Sequence, residues 1–295
     1  MRRPIAPRHW GFLLLAVALI AVLSLGVHDV MLTRLGIPFP DASAVPAWAR
    51  YVDVTVRVAS LVWFCRISRP ALGRLSAGQA SILMGLCVVF LNETLRVFLV
   101  GLYLTHGWSA GGWMFTLLDR LPNALVAFFH GAAAALIARR SRDTDRVRLI
   151  AAVVLIAGIG SFALQSTLGA AAVTAERALA VTEPVERYVL PYPLHVYSVI
   201  YSTFVEPTIA AFVLAALIWP ALSGSRLRRV FIFTGLLLLI RGRVVTELLF
   251  SFWLPGPLGA AFLSEGQFFL ETVALAMLTG GAWANIDRRR MTAPA

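Results

Sequence analysis

The chain contains no lysine: all 26 of its basic residues are arginine. Charge of any kind is scarce, at 14% of 295 residues, while 59% are hydrophobic. A soluble domain carries about a quarter charged residues, so this shortage excludes a chain held in water by its own surface. No polar stretch is longer than a loop or a short tail, which leaves no room for a sizeable soluble domain. Only two cysteines occur, Cys65 and Cys87, both inside apolar segments. That argues against a disulfide framework, and no CxxC or Cys/His metal spacing exists. Also missing are GxSxG, HExxH, Walker A and paired-Asp prenyl-binding motifs. "NET" at 92–94 has the form of a glycosylation site but lies in an apolar run. A mean hydropathy of +0.79 completes the picture. The expected fold is all-α: one integral membrane domain over residues 1–295, with the lipid bilayer as its first partner.

The net charge of +11 does not point to nucleic acid, because the arginines fall in short clusters between apolar segments. Eight stretches are long enough to span a bilayer, near 10–27, 48–66, 80–104, 116–138, 149–174, 194–219, 230–254 and 264–285. Proline-rich breaks at "GIPFP", "LPYP" and "LPGP" separate some of them. The N-terminus resembles a signal peptide but has no A-x-A cleavage site, so it reads as an uncleaved first helix. Alternate connections ("MRRPIAPR", "RISRPALGR", "RRSRDTDRVR", "SRLRR", "DRRR") hold 17 arginines. The opposite connections hold only Arg34, Arg50, Arg177 and Arg187. By the positive-inside rule both termini are cytoplasmic. Trp108, Trp113, Tyr188 and Tyr192 then fall at the outer interface. An arginine-only, Ala/Leu-rich composition fits a GC-rich bacterial genome, and hence a bacterial inner membrane.

The sequence echoes itself at an offset near 150 residues. "RPALGRL" at 69–75 matches "WPALSGSRL" at 219–227, and "HGAAAALIARR" at 130–140 matches "TGGAWANIDRR" at 279–289. A parallel repeat of four helices plus four, over 10–140 and 149–289, would produce this. Chance similarity between low-complexity apolar helices is the competing reading. The first and fifth helices, free of charge in their apolar runs, would be peripheral.

Charges nevertheless occur inside the apolar stretches, and intramembrane ionisable groups are functional candidates by default. Spacing pairs Asp53 with Arg57, Glu93 with Arg96, and Arg243 with Glu247 on common helix faces. Asn92 is placed to bond Arg96, and Gln267 shares a face with Glu271. Asp119, Arg120, Asn123, Tyr201, Glu206 and Arg241 complete the set. Given the orientation, all lie at the middle or in the outer half of their helices, while the cytoplasmic halves are almost without charge. One periplasm-open, water-accessible chamber above an apolar floor explains them together, with Glu93 and Arg96 at its bottom. Structural ion pairs between helices are the alternative. Glu206-Pro207 marks a kink or unwound point. His28, His106 and His195, at outer helix ends, are weak metal candidates without a motif, and His130 reads as a satisfied packing donor. No metal and no cofactor are expected.

Midplane charges, a repeat and a broken helix suggest permease-like transport of a small polar or anionic solute. The alternatives are an intramembrane enzyme acting from the outer leaflet on a lipid-linked or anionic substrate, with Glu93, Glu206 or Glu247 as acid or base, and a non-catalytic binding, sensing or assembly subunit.

Overall fold

The computed structural model describes residues 10–140 and 146–292, the last five by backbone alone. The N-terminal cluster "MRRPIAPR", Arg142 of the third cluster and the side chains of residues 288–290 lie outside the described residues. The described chain is helical; an isolated bridge between Thr105 and Glu186 is its only extended pairing. Thirteen α-helices follow in order: α1 Trp10–Thr33, α2 Ala47–Ile67, α3 Arg69–Leu72, α4 Ala77–Leu91, α5 Thr94–Leu104, α6 Ala110–Arg140 and α7 Arg146–Gly158. A π-helical turn, Ile159–Leu164, leads into α8 Gln165–Ala178. Then come α9 Leu194–Thr203, α10 Val205–Ile218, α11 Arg226–Ile240, α12 Arg243–Leu249 and α13 Leu258–Thr292.

Among the described residues six helical segments are long and apolar enough to cross a membrane: α1, α4–α5, α6, α7–α8, α9–α10 and α13 up to Asp287. This makes the chain a multi-pass membrane protein by length and composition. The other two expected spans, α2 and α11–α12, are helical but fall short on those criteria. Arg50, Asp53, Arg57 and Arg66 make α2 polar, and α11 opens on arginines and stops after 15 residues. Both pack against other helices, α2 against α6, α7 and α11, and α11 against α13. Their charges therefore meet protein, which removes much of the penalty of placing them in hydrocarbon.

The expected continuous helices over 80–104 and 230–254 are each broken. A capping box between Ser76 and Gln79 starts α4, with each side chain bonded to the other's backbone N–H. The helix runs 15 residues and ends as Glu93 turns left-handed at φ 57°. A Ser225 cap starts α11, which also runs 15 residues and ends as Gly242 turns left-handed at φ 71°. Ser225 follows Ser76 by 149 residues, the same interval that separates Gly242 from Glu93. Gly242 is required twice over. Its positive φ suits glycine, and a Cβ there would collide with Arg57 Nε and Asp53 Oδ1. A third interruption, at Phe204, separates α9 from α10 just before Glu206-Pro207.

Packing between the halves is reciprocal. α1 lies on α13, α9 and α10, while α7–α8 lies on α6 and α2. α4 packs on α6 and α10, and α11 packs on α13 and α2. The main core is made by the ends of these helices remote from the loops at 34–46 and 179–193. Phe64, Met84, Leu214, Trp219, Phe233, Leu237 and Leu275 are among its fully buried members. Cys65 and Cys87 are buried in the same layer.

Candidate functional site

Above this core the bundle encloses a cavity of about 900 Å³. Leu61, Val88, Ala127 and Ile240 of the core form its floor, and the loop residues Phe39, Leu190 and Tyr192 stand at its other end. The two left-handed breaks deliver its most charged wall. Glu93 accepts a hydrogen bond from Arg96 Nη1 at 2.7 Å through one carboxylate oxygen and one from Arg241 Nη2 through the other. Arg241 Nη1 reaches Glu271 of α13 at 3.5 Å. Arg241 and Glu271 are almost fully buried. A non-glycine residue in the left-handed region costs of order 1–3 kcal/mol and persists only where its surroundings hold it. Here two guanidinium groups hold Glu93.

The break also exposes the first N–H groups of α5, and Glu206 of α10 satisfies them. Its Oε1 accepts from Leu95 N at 3.0 Å, and its Oε2 accepts from Arg96 N. A carboxylate is the favoured partner at a helix start. Glu206 is thus a cap from another helix and does not line the cavity. Arg96 lies with its guanidinium carbon 5.2 Å from the Phe204 ring centroid. Arg243, first residue of α12, lines the cavity with its guanidinium carbon 4.8 Å from the Phe268 centroid. Among the described residues no carboxylate lies within ion-pair distance of Arg243, and its Nε is buried without a hydrogen-bond partner.

The remaining sequence candidates divide. Arg57 lines the cavity, 2.8 Å from an Asp53 that does not. Arg120 lines it too, 3.0 Å from Asp119, and that pair is a little under half exposed. Asn92 caps α4 and is exposed to the cavity. No hydrogen bond joins it to Arg96, because the break between them removes the helical register that spacing implied. Asn123 lines the wall and accepts from Gln165 Nε2 at 3.0 Å. Tyr201 donates to Asp29 Oδ2 at 2.9 Å, joining α9 to α1. Glu247 is outside the cavity: it faces α13 beside Gly266 and does not pair with Arg243, from which the expected helix-face register gave it a contact. Gln267 bonds the Pro38 carbonyl at 2.9 Å instead of Glu271.

The first and fifth expected helices are mostly exposed, but they are not mere periphery. His28 and Asp29 of α1 line the cavity, as do Ser161, Phe162 and Gln165 of the π-turn and α8. His130 lines it as well, wedged against Gly160, where a Cβ would collide with its Nε2. That nitrogen is buried without a hydrogen-bond partner, so His130 is not the satisfied packing donor expected. The weak metal candidates do not converge. His28 packs between Phe39 and Phe268, His195 packs beside Tyr103 and Tyr188, and the His106 backbone N–H donates to the Val185 carbonyl. Among the described residues no group of three or more His, Cys, Asp or Glu side chains is placed to hold a metal ion.

Asp29, Arg50, Gln165 and Phe268 escape the sequence reading. Asp29 was visible beside His28, and Gln165 is a lone amide in the apolar stretch 149–174; Arg50 and Phe268 carry no local signal. At the mouth, burial and the Glu186 carboxylate push the Tyr192 hydroxyl above its ordinary value, keeping it a donor. On the lining, Arg50, Arg57, Arg96, Arg120, Arg241 and Arg243 outnumber Asp29, Glu93 and Glu271. The arrangement can bind an oxyanion through guanidinium N–H groups. It offers no thiol, since both cysteines lie in the floor. No protein-family model matches the chain, and no curated protein or solved structure matches it either.

Proposed function

We propose that this protein is a bacterial inner-membrane permease-like transporter for a small polar or anionic solute. In this reading it has eight spans with both termini cytoplasmic, and its chamber opens to the periplasm. The observation that carries the reading is the placing of Glu93 and Arg241 at two facing helix breaks, above a closed apolar floor. Interrupted helices meeting near the bilayer midplane are how many transporters build a substrate site that opens to one side at a time. The arginine excess on the lining favours an anion.

The reading includes a parallel four-plus-four repeat. Its support is the equal length of α4 and α11, their serine caps and left-handed ends at a 149-residue interval, and the reciprocal packing of α1 and α7–α8 on the opposite halves. Pro70 and Pro220 both open short helical turns between longer helices. Two related halves supply the two-state geometry that alternating access needs.

One feature favours an outer-leaflet enzyme as the second reading. Much of the chamber wall is hydrocarbon, contributed by Leu32, Val97, Val100 and Leu104, which suits a lipid-linked substrate.

The test is reconstitution of purified protein into liposomes, with uptake and counterflow measured for small carboxylates and phosphates, with and without a proton gradient. Transport predicts accumulation above empty vesicles. Binding without counterflow, joined to product formation in detergent, would replace it with the enzyme reading. Reporter fusions after Gly107, Tyr188 and Pro257 should report periplasm, and those after Arg142, Arg226 and Arg290 cytoplasm.

A further inference from the structure

We propose that the ligand of this chamber is an amphiphilic oxyanion, with a phosphate or carboxylate head seated on Arg243 and an apolar body lying along the hydrocarbon wall. The inference rests on the chamber being the binding site and holds whether the bound molecule is carried or converted.

The head is argued from charge. Every other arginine on the lining already has an oxygen partner. Arg57 faces Asp53, Arg96 and Arg241 share Glu93, Arg120 faces Asp119, and Arg50 donates to the carbonyls of Ala42, Ser43 and Val45. Arg243 has none among the described residues, and its Nε is sealed from water. A guanidinium whose Nε is buried without a hydrogen-bond partner is only partly compensated by the nearby Glu271 and Glu93 charges, and an arriving oxyanion adds the direct oxygen partner it lacks. The Phe268 ring lies against the guanidinium at 4.8 Å. A guanidinium held on a ring keeps its edge free for two parallel N–H···O bonds to a planar carboxylate or a phosphate.

The body is argued from size and wall chemistry. At about 900 Å³ the cavity is near the top of the range for small-molecule sites, roughly 300–1,000 Å³. Inorganic phosphate or acetate would occupy a small corner of it. Such an ion would leave Leu32, Val97, Val100, Leu104 and Val126 against water. An alkyl or aryl body covers them. Tyr192, Tyr197 and Tyr201 at the other end present apolar rings with hydroxyl edges, the chemistry of a passage between water and an apolar wall.

The experiment is a chain-length series on the full protein in nanodiscs, corrected by empty nanodiscs. Ethyl, butyl, hexyl and octyl phosphates, the matching carboxylates and octyl glucoside compete against labelled octyl phosphate. Affinity should climb by about fourfold per buried methylene, then level off when the wall is covered. Whichever head binds tighter identifies the source: phosphate for a lipid-type headgroup, carboxylate for a fatty or aromatic acid. Arg243→Gln should weaken every anion by roughly tenfold or more and keep the slope. Should that variant not fold, Val100→Phe supplies the test by itself, leaving ethyl phosphate unaffected while shortening the length at which affinity levels. A flat series overturns the inference, as does octyl glucoside following the anions or a series unaltered in both variants. A flat series in which small anions still bind through Arg243 leaves the transport reading standing. An intact series without transport does the reverse.

Discussion

Arg241, the last residue of the turn that ends α11, donates through Nη2 to Oε1 of Glu93, the left-handed residue that ends α4, 148 residues earlier in the chain. Each residue thereby holds the other's helix break in place. Both are buried, and neither break has a continuous helix to fall back on. The pair is structural glue and chamber wall at once, so its removal separates the two roles.

Glu93→Gln keeps the side chain's shape but leaves Arg96 without a counter-charge and Arg241 with only Glu271 at 3.5 Å. Breaking a buried pair from one side costs roughly 3–5 kcal/mol. The expected outcome is a clear fall in melting temperature in detergent. Combining it with Arg241→Gln should recover a substantial part, giving a favourable interaction energy in the double-mutant cycle. Strict additivity of the two changes would mean that the pair is not coupled.

Gly242 supplies a sharper test because a single methyl suffices. Gly242→Ala places that methyl on a left-handed residue and against the Asp53–Arg57 pair. Strain of this backbone kind is worth of order 1–3 kcal/mol, and displacement of the ion pair adds to it. Gly235→Ala, seven residues earlier on α11 and with nothing within 4 Å of the added atom, is the control. It should be neutral or slightly stabilising, since alanine favours helix. Equal effects of the two changes on thermal stability would contradict the packing described around the break.

The all-helical, multi-pass character was legible because transmembrane length and apolarity are local signals. The breaks were not. Glu93 and Arg96 stand three apart, a spacing that reads as one helix face, and no proline or glycine marks residues 92–93. At 241–242 the glycine was visible, but glycine is also frequent inside membrane helices. The role of Glu206 depends on a contact 111 residues away and no pattern near it could show that. The Arg243–Glu247 pairing failed for a related reason. Both residues do lie on α12, but helical spacing does not decide which long-range neighbour each side chain meets: Arg243 turns to Phe268 and Glu247 faces Gly266, both on α13. What the sequence conveyed well was that charge is gathered in one part of the apolar stretches. What it could not convey is which acids bind helix ends and which line the cavity.

Tyr201 bridges α9 to α1 through its 2.9 Å hydrogen bond to Asp29. Tyr201→Phe removes one hydrogen bond to a charged group, worth about 1.5–3 kcal/mol, without opening a cavity. A modest drop in melting temperature is expected. If the bond also ties the chamber mouth, ligand exchange should speed up with little change in equilibrium affinity, which stopped-flow release of a bound fluorescent anion would register. An unchanged release rate would confine the bond to a packing role.

The chamber itself is tested by water access. Asn92 and Asn123 line the cavity, whereas Leu236 and Ala134 are buried in the packed floor. Cys65 and Cys87 are buried as well, so the native chain supplies a low background for thiol labelling. Asn92→Cys and Asn123→Cys should react with a membrane-impermeant maleimide added to intact spheroplasts, that is, from the periplasmic side. Leu236→Cys and Ala134→Cys should react only after denaturation. An amphiphilic anion in the chamber should protect Asn92→Cys, which shares the chamber wall with Glu93 and Arg243, more than a neutral detergent does. Reaction from the cytoplasmic side alone would invert the proposed orientation while keeping the chamber. Failure of both lining positions to react from either side would mean that water does not reach the arginines. The unpaired guanidinium of Arg243 would then be a structural charge, and the case for a bound anion would fall with it.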